Sequence, residues 1–429
     1  MKIAYVAPGS GGKFYCQNCF LDNDLIKSLR QIGHDAIKIP MYLPANMGEH
    51  EAAAASPVFF GAINVYLKEK LSFYRYFPGW LRRFFDSSMM LRLAAGKAGS
   101  TRAAGLEEMT VSMLLGENGR QAAELDQLIH YLVELKPDVV HLANALLLGL
   151  AGRIKKDVKA AIVCSLQDED EWTDSMTAKY RRKIWEIMAE KAAAVDFFIT
   201  SSRYYAGRSQ KRLGIPAAKI KIIYGGLDLA GYEISSLPFQ PPVIGYLCRM
   251  SEYFGLGILV GAFLILKKES RFKDLKLHIT GGYTADDKRY VTGLLGKIKK
   301  SGWSADVRID KYFDKEHRRR FLRSLTLLSV PVPQGESFGA YQVEALAAGV
   351  PVVQPAAGCF PEFVQVTQGG VIYEPNDSET LARTIASLLT DPAGVRELAA
   401  KGRKAVLERF SMKNMAAEVV KVYEAIINK

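Results

Sequence analysis

Two carboxylates, Glu336 and Glu344, stand eight positions apart in the stretch PQGESFGAYQVEALAAGVPVVQPAAGCFPE, residues 333–362. Val330, Pro331 and Val332 end an apolar strand, and 334–338 reads as a polar turn with Gly335, followed by Gly339. Residues 340–348 read as a helix with Ala340, Val343, Leu346 and Ala347 on one face. Glu336 then falls at or just before the helix start and Glu344 about two turns in, where a spacing of eight separates the side chains by roughly 80°. Both can look into one groove at the strand ends. The backbone N–H groups of Ser337, Phe338 and Gly339 face the same groove, and a helix start suits an anion such as phosphate. Carboxylates beside an anion site fit a ligand that also carries hydroxyls in need of strong acceptors. Nucleotide sugars have that chemistry.

A groove of this kind needs a sheet whose strands end along one edge. The chain has 429 residues, 49% of them hydrophobic, enough for two or three domains with full cores. Its 57 Lys and Arg against 45 Asp and Glu give a formal +12, which favours phosphorylated ligands, an acidic membrane surface or nucleic acid. The basic residues are dispersed and no nucleic-acid module is visible, so nucleic acid is not an expected partner. The first apolar run, IAYVA, is too short for a signal peptide and no other run reaches a membrane span, so a cytoplasmic protein is expected.

Five cysteines, an odd number, argue against a disulfide framework and for reduced thiols. Cys16 and Cys19 form a CxxC pair at a predicted helix start, where a thiolate would be favoured. They are a redox pair, or two small buried residues lining that helix. A zinc site would need two more ligands, and Cys164, Cys248 and Cys359 are scattered singly.

Taken in order, 2–7 is a strand, Gly9, Gly11 and Gly12 a flexible turn, 15–31 a helix and 36–40 a second strand. Such a unit opens a nucleotide-binding half-sheet, although the glycines do not fit the dinucleotide spacing. Gly11 and Gly12 either let a ligand approach the backbone or allow a tight turn. Residues 58–119 break the alternation as an insertion. Within it 66–85, YLKEKLSFYRYFPGWLRRFF, interleaves basic and aromatic side chains, which suits a bilayer headgroup region or an acidic lipid-linked acceptor. A lid packed on its own domain is the other reading, and Pro78 and Gly79 divide it into two short helices.

From 121 the alternation resumes, with strands at 138–142, 160–166, 196–200 and 220–224 between helices at 121–135, 145–156, 176–193 and 203–213. That pattern means a parallel sheet whose ligands bind beyond the carboxyl ends of the strands. His141 with Asn144, and Gln167 with Asp168, Glu169 and Asp170, stand at two such ends. His141 is ligand-facing or a satisfied structural residue, and Asp168 is a site residue or a helix cap. After a polar linker at 225–242 a second series follows, with strands at 243–248, 275–280, 306–310 and 327–332. Helices at 378–390 and 394–410 close it, and a last helix at 412–427 is free to cross back. The fold class is α/β, with two doubly wound Rossmann-like domains facing a central cleft: 1–234 with the insertion, 235–410, and a terminal helix at 411–429.

The stretch GESFGAYQVEALAAGVPVVQPAAGCFPEFV, followed by Gly369, Gly370 and Pro375, resembles the signature of retaining glycosyltransferases of family 4, which have the GT-B fold. GSGG near the amino end, DVVH at 138–141, YGGLDLAGY at 224–232 and RFSMKNMAAEVVKVYE at 409–424 extend the resemblance over most of the chain. It implies that Glu336 meets the donor sugar hydroxyls and Glu344 the ribose hydroxyls. The amides of Ser337, Phe338 and Gly339 and the side chain of Arg249 would hold the diphosphate. The Gly11 and Gly12 loop and His141 would approach the reacting groups from the other domain, making 1–234 the acceptor side. Glu336, His141 and Arg249 are the implied catalytic residues.

The implied co-substrate is a nucleotide-diphosphate sugar, and the acceptor is a glycan, a lipid-linked molecule or a small molecule. No obligatory metal is expected if Arg249 and the helix amides compensate the phosphate charge. The implied location is cytoplasmic, or peripheral on the inner membrane face if 66–85 touches lipid. One departure stands out: the family follows its arginine, five residues later, with a lysine, and here that position is Phe254, followed by Gly255. Losing that charge slows cleavage by ~10²-fold or more if nothing replaces it. The same fold also serves epimerases and phosphorylases, and Phe254 would suit a non-catalytic binding homologue.

Overall fold

Runs such as IAYVA, VVHL and VIGYL are buried at every position rather than at alternate ones, as strands covered on both faces require. In a computed structural model, which describes residues 1–8, 14–41, 103 and 105–428, they are the inner strands of two parallel sheets. The Gly11 and Gly12 loop and the 66–85 segment lie outside the described residues. The chain divides into two compact units, one of residues 1–12, 18–223 and 415–429, the other of 13–17 and 224–414.

The first unit holds β1 (Lys2–Ala7), β2 (Asp35–Pro40), β3 (Val139–Leu142), β4 (Ala161–Leu166), β5 (Phe197–Thr200) and β6 (Ile220–Ile222), in the order β2-β1-β3-β4-β5-β6. Helices Gln17–Gln31, Ala122–Leu135, Ala178–Ala192 and Arg203–Leu213 alternate with them. The single helix expected at 145–156 is instead a 3₁₀ turn (Ala145–Leu150), a short α segment (Ala151–Arg153) and a π turn (Ile154–Val158). Close packing is the cause. A Cβ on Gly149 would lie 2.2 Å from the Met113 carbonyl oxygen, so the chain is pressed on helix Glu107–Leu114 where it takes the tighter 3₁₀ turn, and the wider π turn follows at Ile154–Val158.

The second unit holds β7 (Val243–Leu247), β8 (Lys276–Thr280), β9 (Val307–Ile309), β10 (Leu327–Leu328), β11 (Val352–Pro355) and β12 (Gly370–Tyr373), in the order β12-β11-β10-β7-β8-β9. Counted from its own first strand this is the 3-2-1-4-5-6 order of a dinucleotide-type sheet, which reverses between β7 and β10. Strand β10 is shorter than the 327–332 expected. Pro331 has no N–H to give the ladder, and the Val330 amide turns to the Gln354 side chain at 3.0 Å. Helix Ala340–Ala347 is buried all round, not on one face. Among the described residues no helix is long and apolar enough to cross a membrane.

Candidate functional site

Where the order of a parallel sheet reverses, the connections leave in opposite directions and open a crevice at the strand ends. In the second unit the chain leaving β7 carries Arg249, and the chain leaving β10 carries residues 333–339. Glu336 is only 5% exposed and accepts a 2.7 Å hydrogen bond from the Tyr341 hydroxyl. Its loop is pressed on residues 357–359, because a Cβ on Gly335 (φ 70°) would lie 2.3 Å from the Gly358 Cα. Gly339, also left-handed, precedes helix Ala340–Ala347. Among the described residues no acceptor takes the Phe338 and Gly339 amides. The Ala340 amide donates to Gln17 Oε1 at 2.8 Å.

Glu344, 1% exposed, is not an open acceptor. Arg318 Nε donates to its Oε2 at 2.8 Å, the Tyr232 hydroxyl to the same oxygen at 2.8 Å, and the Tyr15 hydroxyl to Oε1 at 2.8 Å. Burial and the Glu344 carboxylate together hold both phenols well above their ordinary pKa. Burial works against the Arg318 cation, but Glu344 and the two tyrosines outweigh it and its pKa stands above the usual value.

Arg249 is engaged as well, its Nε and Nη2 donating to the two Asp287 oxygens at 3.0 and 3.3 Å. Asp287 also accepts from the Thr284 hydroxyl and amide in a capping box. Phe254 is buried, its ring edge-on to Tyr253 with centroids 5.0 Å apart. Gly255 follows at φ 72°, where a Cβ would meet the Pro331 carbonyl oxygen at 1.9 Å.

His141 lies in the core of the first unit rather than at a ligand surface. It is wholly buried, with Nε2 2.8 Å from Ser165 Oγ, Nδ1 2.5 Å from the Tyr423 hydroxyl, and Tyr5 against its ring at 4.6 Å. Burial drops its pKa to about 3, so the imidazole is neutral with both nitrogens committed. It ties β3 to β4 and to the terminal helix, which corrects the ligand-facing role the resemblance implies. Asp168 precedes helix Glu169–Asp174 with φ 55° and its side chain does not cap it. The buried acid there is Glu169, which accepts from the Ala145 and Gln167 amides at 2.8 and 3.0 Å and from the Tyr205 hydroxyl at 2.7 Å. Burial raises its carboxyl to about 7.

Cys16 and Cys19 are disulfide-bonded and half-buried, while Cys164, Cys248 and Cys359 are thiols in no disulfide. The expectation of five reduced thiols is therefore corrected. A three-residue step at the start of a helix sets two side chains on the same side of the turn.

Sequence reasoning missed Arg318, Tyr15, Tyr232 and Asp287. Arg318 carried a signal: with Phe321 and Leu322 it repeats at i, i+3 and i+4, which turns it inward while Arg320 and Arg323 face water.

A family model described as "Glycosyl transferases group 1" matches residues 233–405, and one described as "Glycosyltransferase Family 4" matches 105–230. A D-inositol 3-phosphate glycosyltransferase of Salinispora arenicola is 24% identical over 248 residues, 54% of this chain and 55% of that protein. The chain thus spans about half the length of such curated relatives. Among solved structures, HepE of Anabaena in complex with UDP and glucose matches with a TM-score of 0.70 at 17% identity, covering 99% of this chain and 100% of that one. Sucrose-phosphate synthase of Thermosynechococcus elongatus matches with a TM-score of 0.73 at 17% identity, covering 100% and 99%. With its two reversed parallel sheets and two adjoining family matches, the chain belongs to the family 4 glycosyltransferases of GT-B fold.

Proposed function

We propose that the chain transfers a glycosyl unit from a nucleotide-diphosphate sugar to an acceptor with retention at the anomeric carbon. The observation that carries this reading is the placement of Arg249 and Glu336 beyond β7 and β10, on the two sides of the sheet reversal, with the Phe338 and Gly339 amides on the same loop as Glu336. A structural neighbour solved with UDP and glucose supports the donor class.

In this reading the Ser337, Phe338 and Gly339 amides and Arg249 receive the diphosphate, and Glu336 receives the sugar hydroxyls. Glu344 takes the ribose hydroxyls by exchanging its tyrosine donors for them. The bond from the anomeric carbon to the phosphate oxygen breaks, and a bond to the acceptor oxygen forms on the same face. The acceptor proton passes to the leaving phosphate, so no protein base is assigned, and His141 is left with a structural part. Fixed donors aimed at that phosphate do most where water is excluded. The acceptor is a glycan, a lipid-linked molecule or a small molecule.

A thermal-shift panel of UDP, GDP, ADP and their sugar conjugates tests the donor site, since a ligand of the native state raises Tm by mass action. Proton NMR of the product then reads the anomeric configuration. No stabilisation by any nucleotide, or an inverted product, overturns the reading.

The buried Phe254 and the Asp287 clamp on Arg249 favour a second reading, a homologue that binds nucleotide sugars without transferring them. Binding without turnover by the natural chain, with turnover in Phe254→Lys, would establish it.

A further inference from the structure

Residues 14–17 group with the second unit, although the chain on either side of them belongs to the first. Phe14 forms an isolated antiparallel bridge with Gly282, and the Tyr15 amide donates to the Gly281 carbonyl at 2.7 Å, so the segment adds a short edge beyond β8. From that edge its side chains reach the groups described above. The Tyr15 hydroxyl holds Glu344 Oε1 at 2.8 Å, with the Arg318 guanidinium 5.5 Å from its ring centroid. Gln17 Oε1 takes the first amide of helix Ala340–Ala347 at 2.8 Å. The Phe14 ring lies under the Arg249 guanidinium at 5.3 Å. Tyr15 is buried.

We infer that 14–17 is a built-in competitor for the donor nucleotide, a strap that leaves the site when donor binds. The inference rests on the donor reading above, because its force is chemical equivalence. A phenol O–H on Glu344 stands in for a ribose hydroxyl, the Gln17 carbonyl oxygen for a phosphate oxygen at a helix start, and the Phe14 ring face for an anion at Arg249. Three different donor-type contacts made by one four-residue segment are more than a core residue needs for satisfaction. Opening gives up the bridge, the Tyr15 and Gln17 side-chain hydrogen bonds and the ring contact of Phe14 with Arg249 among its contacts, and each such bond contributes modestly on balance. A ligand that binds only the open form shows an apparent affinity reduced by the fraction of molecules that are open.

The test compares the full chain with Tyr15→Phe, which removes only the hydroxyl, and Gln17→Ala, which frees the Ala340 amide. Kd for UDP and UDP-glucose is measured by calorimetry, and hydrogen exchange in 14–17 is followed with and without UDP. The strap predicts about tenfold tighter binding in each variant, equal to about 1.4 kcal/mol, and faster exchange in 14–17 when UDP is bound. If the natural chain binds UDP but the variants bind equally or more weakly, or if UDP slows exchange in 14–17, the strap is refuted while the donor reading stands. If neither the natural chain nor either variant binds any nucleotide of the panel, both are refuted.

Discussion

Replacing Glu344 by alanine should unfold the second unit locally, not merely remove a ligand contact. The carboxylate is 1% exposed and takes three donors, from Arg318, Tyr15 and Tyr232. Breaking a buried ion pair by deleting one partner costs about 3–5 kcal/mol, because the remaining charge is left without a counter-ion. Two buried phenol hydroxyls losing their acceptor cost about 1–3 kcal/mol each. These terms overlap, since Arg318 and the tyrosines can shift into the vacated space, so about 5 kcal/mol is the expected total. Set against a whole-domain stability of about 5–15 kcal/mol, that is enough to melt helix Ala340–Ala347. Because the chain has two units, a single unfolding midpoint would blur the effect. Hydrogen exchange in urea resolves it: protection at 340–347 should fall while protection at 161–166 in the first unit stays unchanged. Adding Arg318→Met to Glu344→Ala removes the stranded charge and should recover 2 kcal/mol or more, on the order of measured couplings between contacting groups. Protection at 340–347 within about 1 kcal/mol of the natural chain, or no recovery in the double variant, would refute the argument that the carboxylate holds this unit together.

Glu336→Gln keeps an oxygen for the Tyr341 hydroxyl and should lower kcat/KM for the donor by ~10²-fold or more, with stability nearly unchanged; equal kinetics would remove Glu336 from the site. Thiol titration of the denatured, unreduced chain should count three groups, with Cys16 and Cys19 appearing only after reduction; five at the outset would contradict the bridge. Glu169 titrates near 4.5 when unfolded and about 7 when folded, so the unfolded form loses its proton first. Stability is undiminished below pH 4.5, falls as pH rises towards 7, and then levels. Urea denaturation of the natural chain and Glu169→Gln across that window should show the variant gaining by about 3 kcal/mol; a constant difference would place the group's titration elsewhere.

The strands were legible because parallel strands covered on both faces leave an unbroken apolar run, as at β1, which the sequence reading places at the observed residues. So was the start of helix Ala340–Ala347, where Gly339 and the polar turn mark the boundary. Strand β10 was overextended although Pro331 itself carries the signal that the ladder ends. What could not be read was who satisfies whom. Glu344 is met by Tyr15 from 329 positions away and by Tyr232 from 112, and His141 by Tyr423 from 282. Residue type and local period say nothing of such distances. The cysteine pair divides the signals: the CxxC spacing carries the redox reading that the bridge fits, whereas the odd cysteine count points to reduced thiols.

Phe254 raises the last question of charge. The family's lysine at this position would stand beside Arg249 and face the leaving diphosphate, whereas here a buried ring packs on Tyr253 and the next residue is held against the Pro331 carbonyl. A cation at this position gives up an aromatic contact and part of its hydration, which a bound diphosphate beside it would offset. In the proposed reading Arg249 and the helix amides receive the diphosphate, and Arg249 already donates through Nε and Nη2 to Asp287. A carboxylate that close to a bound diphosphate either moves or weakens the donor's hold on Arg249. Asp287→Asn therefore separates the two accounts. If Asp287 restrains Arg249, the variant should bind UDP several-fold more tightly, because the guanidinium turns wholly to phosphate. If Asp287 instead orients the fork for the diphosphate, binding should weaken by a similar factor while the affinity for uridine, which lacks phosphate, stays the same.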